Sequence, residues 1–112
     1  MLENLGAHRA ALLNLTPEAL DASGGPALVS SSGFGRGVEH GWYRVYGMNI
    51  HASGGVIHLS QDRGGNPRNL GTSWGDPLTA VWIAMLAAAE LLRPPEQREH
   101  VDVSMVEAVA TL

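Results

Sequence analysis

With 112 residues, 45% of them hydrophobic and 16% charged, the chain reads as a globular segment of one small domain, not a disordered region. Its net charge of −4 comes with seven scattered arginines and no lysine, so it lacks the concentrated positive face of a nucleic-acid module. The absence of cysteine excludes disulfides, thiolate catalysis and cysteine-ligated zinc, and fits a cytoplasmic setting.

Met1-Leu-Glu-Asn at the start has neither the basic nor the apolar region of a signal peptide. Leu5 to Leu15, rich in Ala and Leu, predicts a helix with His8 and Arg9 on its polar side. Thr16 caps a second helix, with Pro17 at its first position, where a missing N–H costs nothing. Asp21 to Gly25 closes it. Pro26 to Ser30 predicts a short buried strand that runs into Ser31-Ser-Gly-Phe-Gly-Arg-Gly37. Such a loop either lets backbone N–H groups approach a phosphate or carbonyl, or only turns the chain. Its spacing matches neither a dinucleotide fingerprint nor a P-loop.

Trp42 to Gly55 is amphipathic and predicts partial helix. Arg44 and Tyr46, two residues apart, share a face only in extended backbone. Val56 to Ser60 alternates and predicts a short strand; Gln61 to Asn69 is a polar Gly/Pro loop. His51 and His58 lie two helical turns apart across a Gly-Gly pair. No third ligand has suitable spacing, so they read as unrelated and no metal site is expected.

Gly71 to Leu92 is the stretch around which the chain is organised. Asp76 sits where an N-cap would be and Pro77 at the first helical position. Leu78, Val81, Trp82, Met85, Leu86 and Ala89 form a stripe at helical spacing, and Ala80, Ala84, Ala87 and Ala88 make the opposite face small and apolar. A helix apolar all round is normally enclosed. One acid thus stands at the mouth of a buried helix, where it either caps or reacts. The longest uncharged run, Pro77 to Ala89, is 13 residues. That is short of the roughly 20 that span a bilayer, so no membrane association is expected.

Arg93-Pro-Pro95 breaks the helix, and Glu96 to Glu99 is a solvated turn. His100 to Val103 alternates as a second strand, and Ser104-Met-Val-Glu107 is a capping box opening the last helix. That helix still runs at Thr111-Leu112, so the chain is expected to be a piece of a larger protein. The order is α/β, helix-rich, with too few strands to close a sheet.

Five segments in this order resemble the class III (CaiB/BaiF-type) CoA-transferases. They are Glu3-Asn-Leu-Gly6; Leu28-Val-Ser-Ser-Ser-Gly-Phe-Gly35; Tyr43-Arg-Val-Tyr46 with Ala52-Ser-Gly-Gly55; Gly75-Asp76; and Val101-Asp-Val-Ser104 with Glu107-Ala108. The resemblance implies that residues 1–112 are a single fragment of the family's large, Rossmann-like domain. The N-terminal βα units, the small domain and the C-terminal part with its glycine-rich loop would then lie outside it. It also implies that Asp76 is the nucleophile and that Asn4, Leu5, Gly6, Arg44 and Tyr46 lie against coenzyme A, which serves as acyl-CoA substrate. A carboxylic acid is the acceptor, no metal is used, and full-length members form homodimers. Family members carry Phe at the position of Leu5, a Gly-rich turn where Pro94 to Glu99 stand, and a basic residue at Leu12, from which Arg9 is one turn away.

Two other functions compete. The racemase branch of the family has histidine at the position of Tyr46, and a tyrosine is a poor general base at neutral pH. A non-catalytic CoA-binding or structural fragment would keep the fold without turnover. The isolated 112-residue chain, lacking the glycine-rich loop, is expected to be inactive.

Overall fold

The computed structural model describes residues 1–112. Two βα crossovers build its frame. Strand β1 (Leu2–Glu3) is followed by helices α1 (Ala7–Leu12) and α2 (Pro17–Ala22) and by β2 (Val29–Ser32). From β2 the chain passes through α3 (Gly47–Ser53), α4 (Val56–Leu59) and α5 (Gly75–Leu92) to β3 (Val101–Ser104) and α6 (Met105–Val109). The strands form one parallel sheet in the order β1-β2-β3, with Leu2 opposite Val29 and Val29 opposite Val101. Strand β2 lies between two others and all four of its residues are buried, as in a parallel sheet covered on both faces.

Local grammar accounts for several elements. The Thr16 hydroxyl accepts the Ala19 N–H at 3.3 Å and Pro17 opens α2. The Ser104 hydroxyl accepts the Glu107 N–H at 3.2 Å and starts α6. The Asn49 side chain accepts the Tyr46 N–H at 3.1 Å at the start of α3. The core joins Ile50, Val56 and Val109, with Val45, Leu78, Met105 and Val106 packed against it.

Four expectations are corrected. The first helix covers only Ala7–Leu12, and the first strand of the sheet, Leu2–Glu3, has no apolar run to announce it. The segment Val56–Leu59 is helical, not extended; it starts after Gly55 at φ 83° and turns Val56 into the core. The third concerns the start of α5. That helix begins at Gly75 with Trp74 as N-cap, so Asp76 stands inside the first turn and Pro77 one residue further on.

The fourth concerns the face of α5 that is covered. Gly75 and Thr79 are its buried residues, with Ile83 half-buried on the same face. In the expected stripe, Val81 is 57% exposed, Met85 58% and Trp82 37%. The helix is also 18 residues long, about 27 Å at 1.5 Å per residue. Length and composition alone would therefore let it cross a membrane. The uncharged run understates its reach because Asp76 and Glu90 lie near its two ends. The same two properties describe a helix enclosed within a larger α/β domain. The radius of gyration is 15.8 Å, whereas a compact chain of this length has about 13 Å.

A polar cluster, buried at Glu3 and Ser30, ties the three strands together. The Arg36 guanidinium pairs with the Glu3 carboxylate and donates from Nε to Ser30 Oγ at 2.8 Å. Ser30 Oγ in turn donates to Asp102, which also accepts the Arg36 N–H. The Glu3 carboxylate takes the Leu5 N–H at 2.7 Å. Removing one partner of such a pair leaves the other charge buried and alone, a loss of about 3–5 kcal/mol. Arg36→Met is therefore expected to destabilise the fold by that amount in urea unfolding, and a change below about 1 kcal/mol would show the pair to be solvated.

The Gln61 to Asn69 loop is organised by Asp62. Its Oδ1 accepts the N–H groups of Gly64 and Asn66 at 2.8 and 2.9 Å, and the Asn66 amide and Arg68 complete the shell. The hydrogen bonds from Asn66, first of all, hold this carboxyl below the ordinary Asp value. A lowered folded value means the contribution is present above the unfolded pKa, near 3.9, and is lost as the pH falls through the folded one. A carboxyl-detected NMR titration should place the Asp62 midpoint below that of an unstructured Asp; an equal midpoint would deny the loop its anchor.

Candidate active site

The carboxyl ends of parallel strands are where α/β folds hold their ligands. Here one cavity of about 700 Å³ lies there. Asn4, Leu5 and Gly6 follow β1, Ser31 and Ser32 end β2 with Gly33 just after it, and Met105 follows β3; all line it. The segment Trp42 to Tyr46 forms another wall, and Asp76, Pro77, Thr79, Ala80 and Ile83 of α5 close it.

Two close backbone approaches assemble these walls. A Cβ on Gly33 would stand 2.2 Å from Val45 Cγ2, so a larger residue there would force Val45 to shift where the Arg44 to Tyr46 segment meets the end of β2. A Cβ on Gly47 would stand 2.0 Å from Ser73 Oγ and 2.5 Å from Ser73 Cβ. That contact brings the start of α3, and with it Tyr46, against the turn that precedes Asp76.

Each side chain expected at the site is found on this cavity. Asp76 is exposed in the first turn of α5, and its N–H donates to Ser73 O at 3.2 Å. The positive end of the helix favours an anion at that point. Tyr46 is 79% exposed and Arg44 is exposed beside it. Arg9 lines the cavity as well, whereas Leu12 is 70% exposed and does not.

Composition could not have pointed to the rim aromatics. His8 and Trp42 meet edge to face with ring centroids 6.2 Å apart, and Tyr43 packs on His40 and Phe34. Trp42 and Tyr43 are both more than half exposed along the cavity. His51 is not among the lining residues. It is fully buried, and its Nε2 accepts the Gly75 N–H at 3.2 Å, directly behind Asp76. Nothing in the sequence relates position 51 to position 75. His58, by contrast, reaches only Gln61, and no group of three or more ligating side chains surrounds either histidine.

A second hollow, lined by Leu70, Trp74, Pro77, Leu78, Val81 and Leu112, is almost wholly apolar and offers no reacting group.

Comparison with solved structures gives the same architecture. A CaiB/BaiF family protein from Brucella suis superposes with a TM-score of 0.79 at 21% identity, over 99% of this chain and 30% of that one. Rv3272 from Mycobacterium tuberculosis gives a TM-score of 0.82 at 19% identity, over 98% of this chain and 32% of that one. The chain thus spans about a third of the length of these structures. No curated protein matches it. The sequence model of CoA-transferase family III matches residues 1–112, its whole length, and the chain belongs to that family.

Proposed function

We propose that this chain carries the nucleophile and part of the CoA site of an enzyme that moves coenzyme A from an acyl-CoA thioester to a carboxylic acid. The observation that supports the reading best is one of convergence. Asn4, Leu5, Gly6, Arg44, Tyr46 and Asp76 come from three distant segments and line one cavity. Two arginines and a single carboxylate give that cavity the charge that suits a phosphorylated ligand with its reacting end at the acid.

In this reading an Asp76 carboxylate oxygen attacks the thioester carbonyl. The C–S bond breaks, CoA leaves as thiolate, and an acyl-aspartyl anhydride remains. The thiolate attacks the aspartyl carbonyl, the donor acid departs, and Asp76 holds CoA as a thioester. The acceptor carboxylate then displaces the thiolate to form a second anhydride. The thiolate attacks its acceptor carbonyl, giving the new acyl-CoA and free Asp76. A carboxylate needs no further activation for the first attack. Holding it and the thioester in attack geometry is the larger contribution, up to about 7–11 kcal/mol.

The tyrosine at position 46 favours transfer over α-proton removal, because a phenol is a poor general base. Turnover with acceptor carboxylate labelled in both oxygens by a heavy isotope tests the scheme, since one labelled oxygen should end on Asp76. Label that stays wholly in the small molecules would rule out the anhydride route.

A further inference from the structure

The geometry points to His51 as a positioning residue for Asp76, acting through the Gly75 amide; the inference rests on Asp76 being the nucleophile. Helix α5 opens without a capping side chain of its own, because Trp74 at the N-cap offers no side-chain acceptor. The acceptor comes from another helix: His51 on α3 takes the Gly75 N–H on Nε2 at 3.2 Å. On the other side of the same residue, Thr79 Oγ1 donates to the Gly75 carbonyl oxygen at 2.6 Å. That carbonyl belongs to the peptide unit whose nitrogen is the Asp76 N–H. Gly75 is therefore tied at both its N–H and its C=O by buried side chains, immediately before a residue whose own side chain is exposed. With an exposed side chain, the direction in which the carboxylate leaves the helix is set by the backbone.

The chemistry of the ring singles this contact out. To accept from Gly75, Nε2 must present its lone pair, so in the neutral ring the proton sits on Nδ1. Nδ1 is buried and has no hydrogen-bond partner. A buried polar group left without a partner destabilises the fold, and an apolar side chain of similar size would avoid that cost. What the imidazole supplies and an apolar side chain does not is the acceptor for Gly75. The ring also sits beside Ile50 in the core that packs α3 against α5 and α6, so it couples the wall bearing Tyr46 to the start of the helix bearing Asp76.

The test uses two substitutions in the complete reading frame that contains these residues. A glutamine at position 51 reaches about as far and offers a carbonyl acceptor; a leucine fills the space without one. His51→Leu should lower kcat by about 100-fold, the cost of a misplacement near 1 Å, and leave KM for acyl-CoA within about threefold. His51→Gln should recover kcat to within about threefold of the parent by restoring the acceptor. Hydrogen exchange at the Gly75 amide is the readout independent of chemistry: slow in the parent and in His51→Gln, and faster by about 100-fold in His51→Leu. Parent-like kcat in folded His51→Leu, or a folded His51→Gln as impaired as His51→Leu, overturns the inference. If His51→Leu does not fold, His51→Gln decides alone: parent-like kcat with a protected Gly75 amide supports the role, and a folded protein with low kcat removes it. Failure of the underlying reading looks different, because Asp76→Asn would then keep turnover whatever happens at position 51.

Discussion

Asp76→Asn should lower kcat for CoA transfer by about 10⁴- to 10⁶-fold, as removal of a nucleophile does in enzymes that work through covalent intermediates. The folded state should change by less than about 1 kcal/mol, because the residue is exposed and the helix loses only a favourable charge at its first turn. This separation discriminates between the two roles open to the residue. Were Asp76 a cap, asparagine would serve about equally well and both activity and stability would survive. The structure already weakens the capping role, since the N-cap is Trp74 and the first free amide is taken by His51. Steady-state kinetics beside urea unfolding of the same two proteins reads both quantities.

Gly47→Ala should lower stability and turnover together, and at a residue with no reactive group. Its Cβ would stand 2.0 Å from Ser73 Oγ and 2.5 Å from Ser73 Cβ, so either the start of α3 or the turn before α5 must move. Ser73 Cβ is not the far end of a flexible side chain, and rotation of the hydroxyl cannot relieve the overlap. Overpacking of this kind costs about 1–3 kcal/mol. The displaced turn carries Ser73 O, the acceptor of the Asp76 N–H, so kcat should also fall by about 10²-fold. Ser73→Gly removes both overlapping atoms, and the double variant should recover most of both losses. Additive losses in the double-mutant cycle would show that the two positions do not share this contact.

What the sequence made legible follows from how local each signal is. Thr16-Pro17 and Ser104 to Glu107 name their helix starts because the cap and the amide it accepts lie within three residues of one another. Val56–Leu59 misled because a short apolar run fits a strand or a buried helical turn equally well; Gly55 and the core contact of Val56 decide it. The start of α5 lies one residue before the Asp-Pro pair because its acceptor is His51, 24 residues away in sequence, and no local rule reaches that far. The apolar stripe of the same helix was visible, but its direction was not. Small residues, Gly75 and Thr79, are the buried ones, Gly75 against Ile50 of α3 and Val109 of α6, while Val81, Trp82 and Met85 face away from what this chain contains.

The candidate site has the same division. Asp76 attracted notice through its helix; Asn4, Leu5, Gly6, Arg44 and Tyr46 did so only through resemblance to a family, since alone each is an ordinary surface residue. Their shared cavity depends on parallel pairing of β1 with β2 and on the Gly33 and Gly47 approaches, all contacts distant in sequence. The strand expected over Pro26 to Ser30 lies instead at Val29–Ser32, because burial of its serines is set by its two neighbouring strands and not by hydropathy.

The account stands on Asp76 forming a covalent bond to the acyl group. The most direct measurement is hydroxylamine trapping during turnover of the complete reading frame, with the donor it uses fastest among acetyl-, succinyl- and benzoyl-CoA, followed by peptide mass spectrometry. The expected result is a hydroxamate on Asp76 that forms only when acyl-CoA is present. Turnover at full rate with Asp76 unmodified, or with the adduct on another carboxylate, would contradict it.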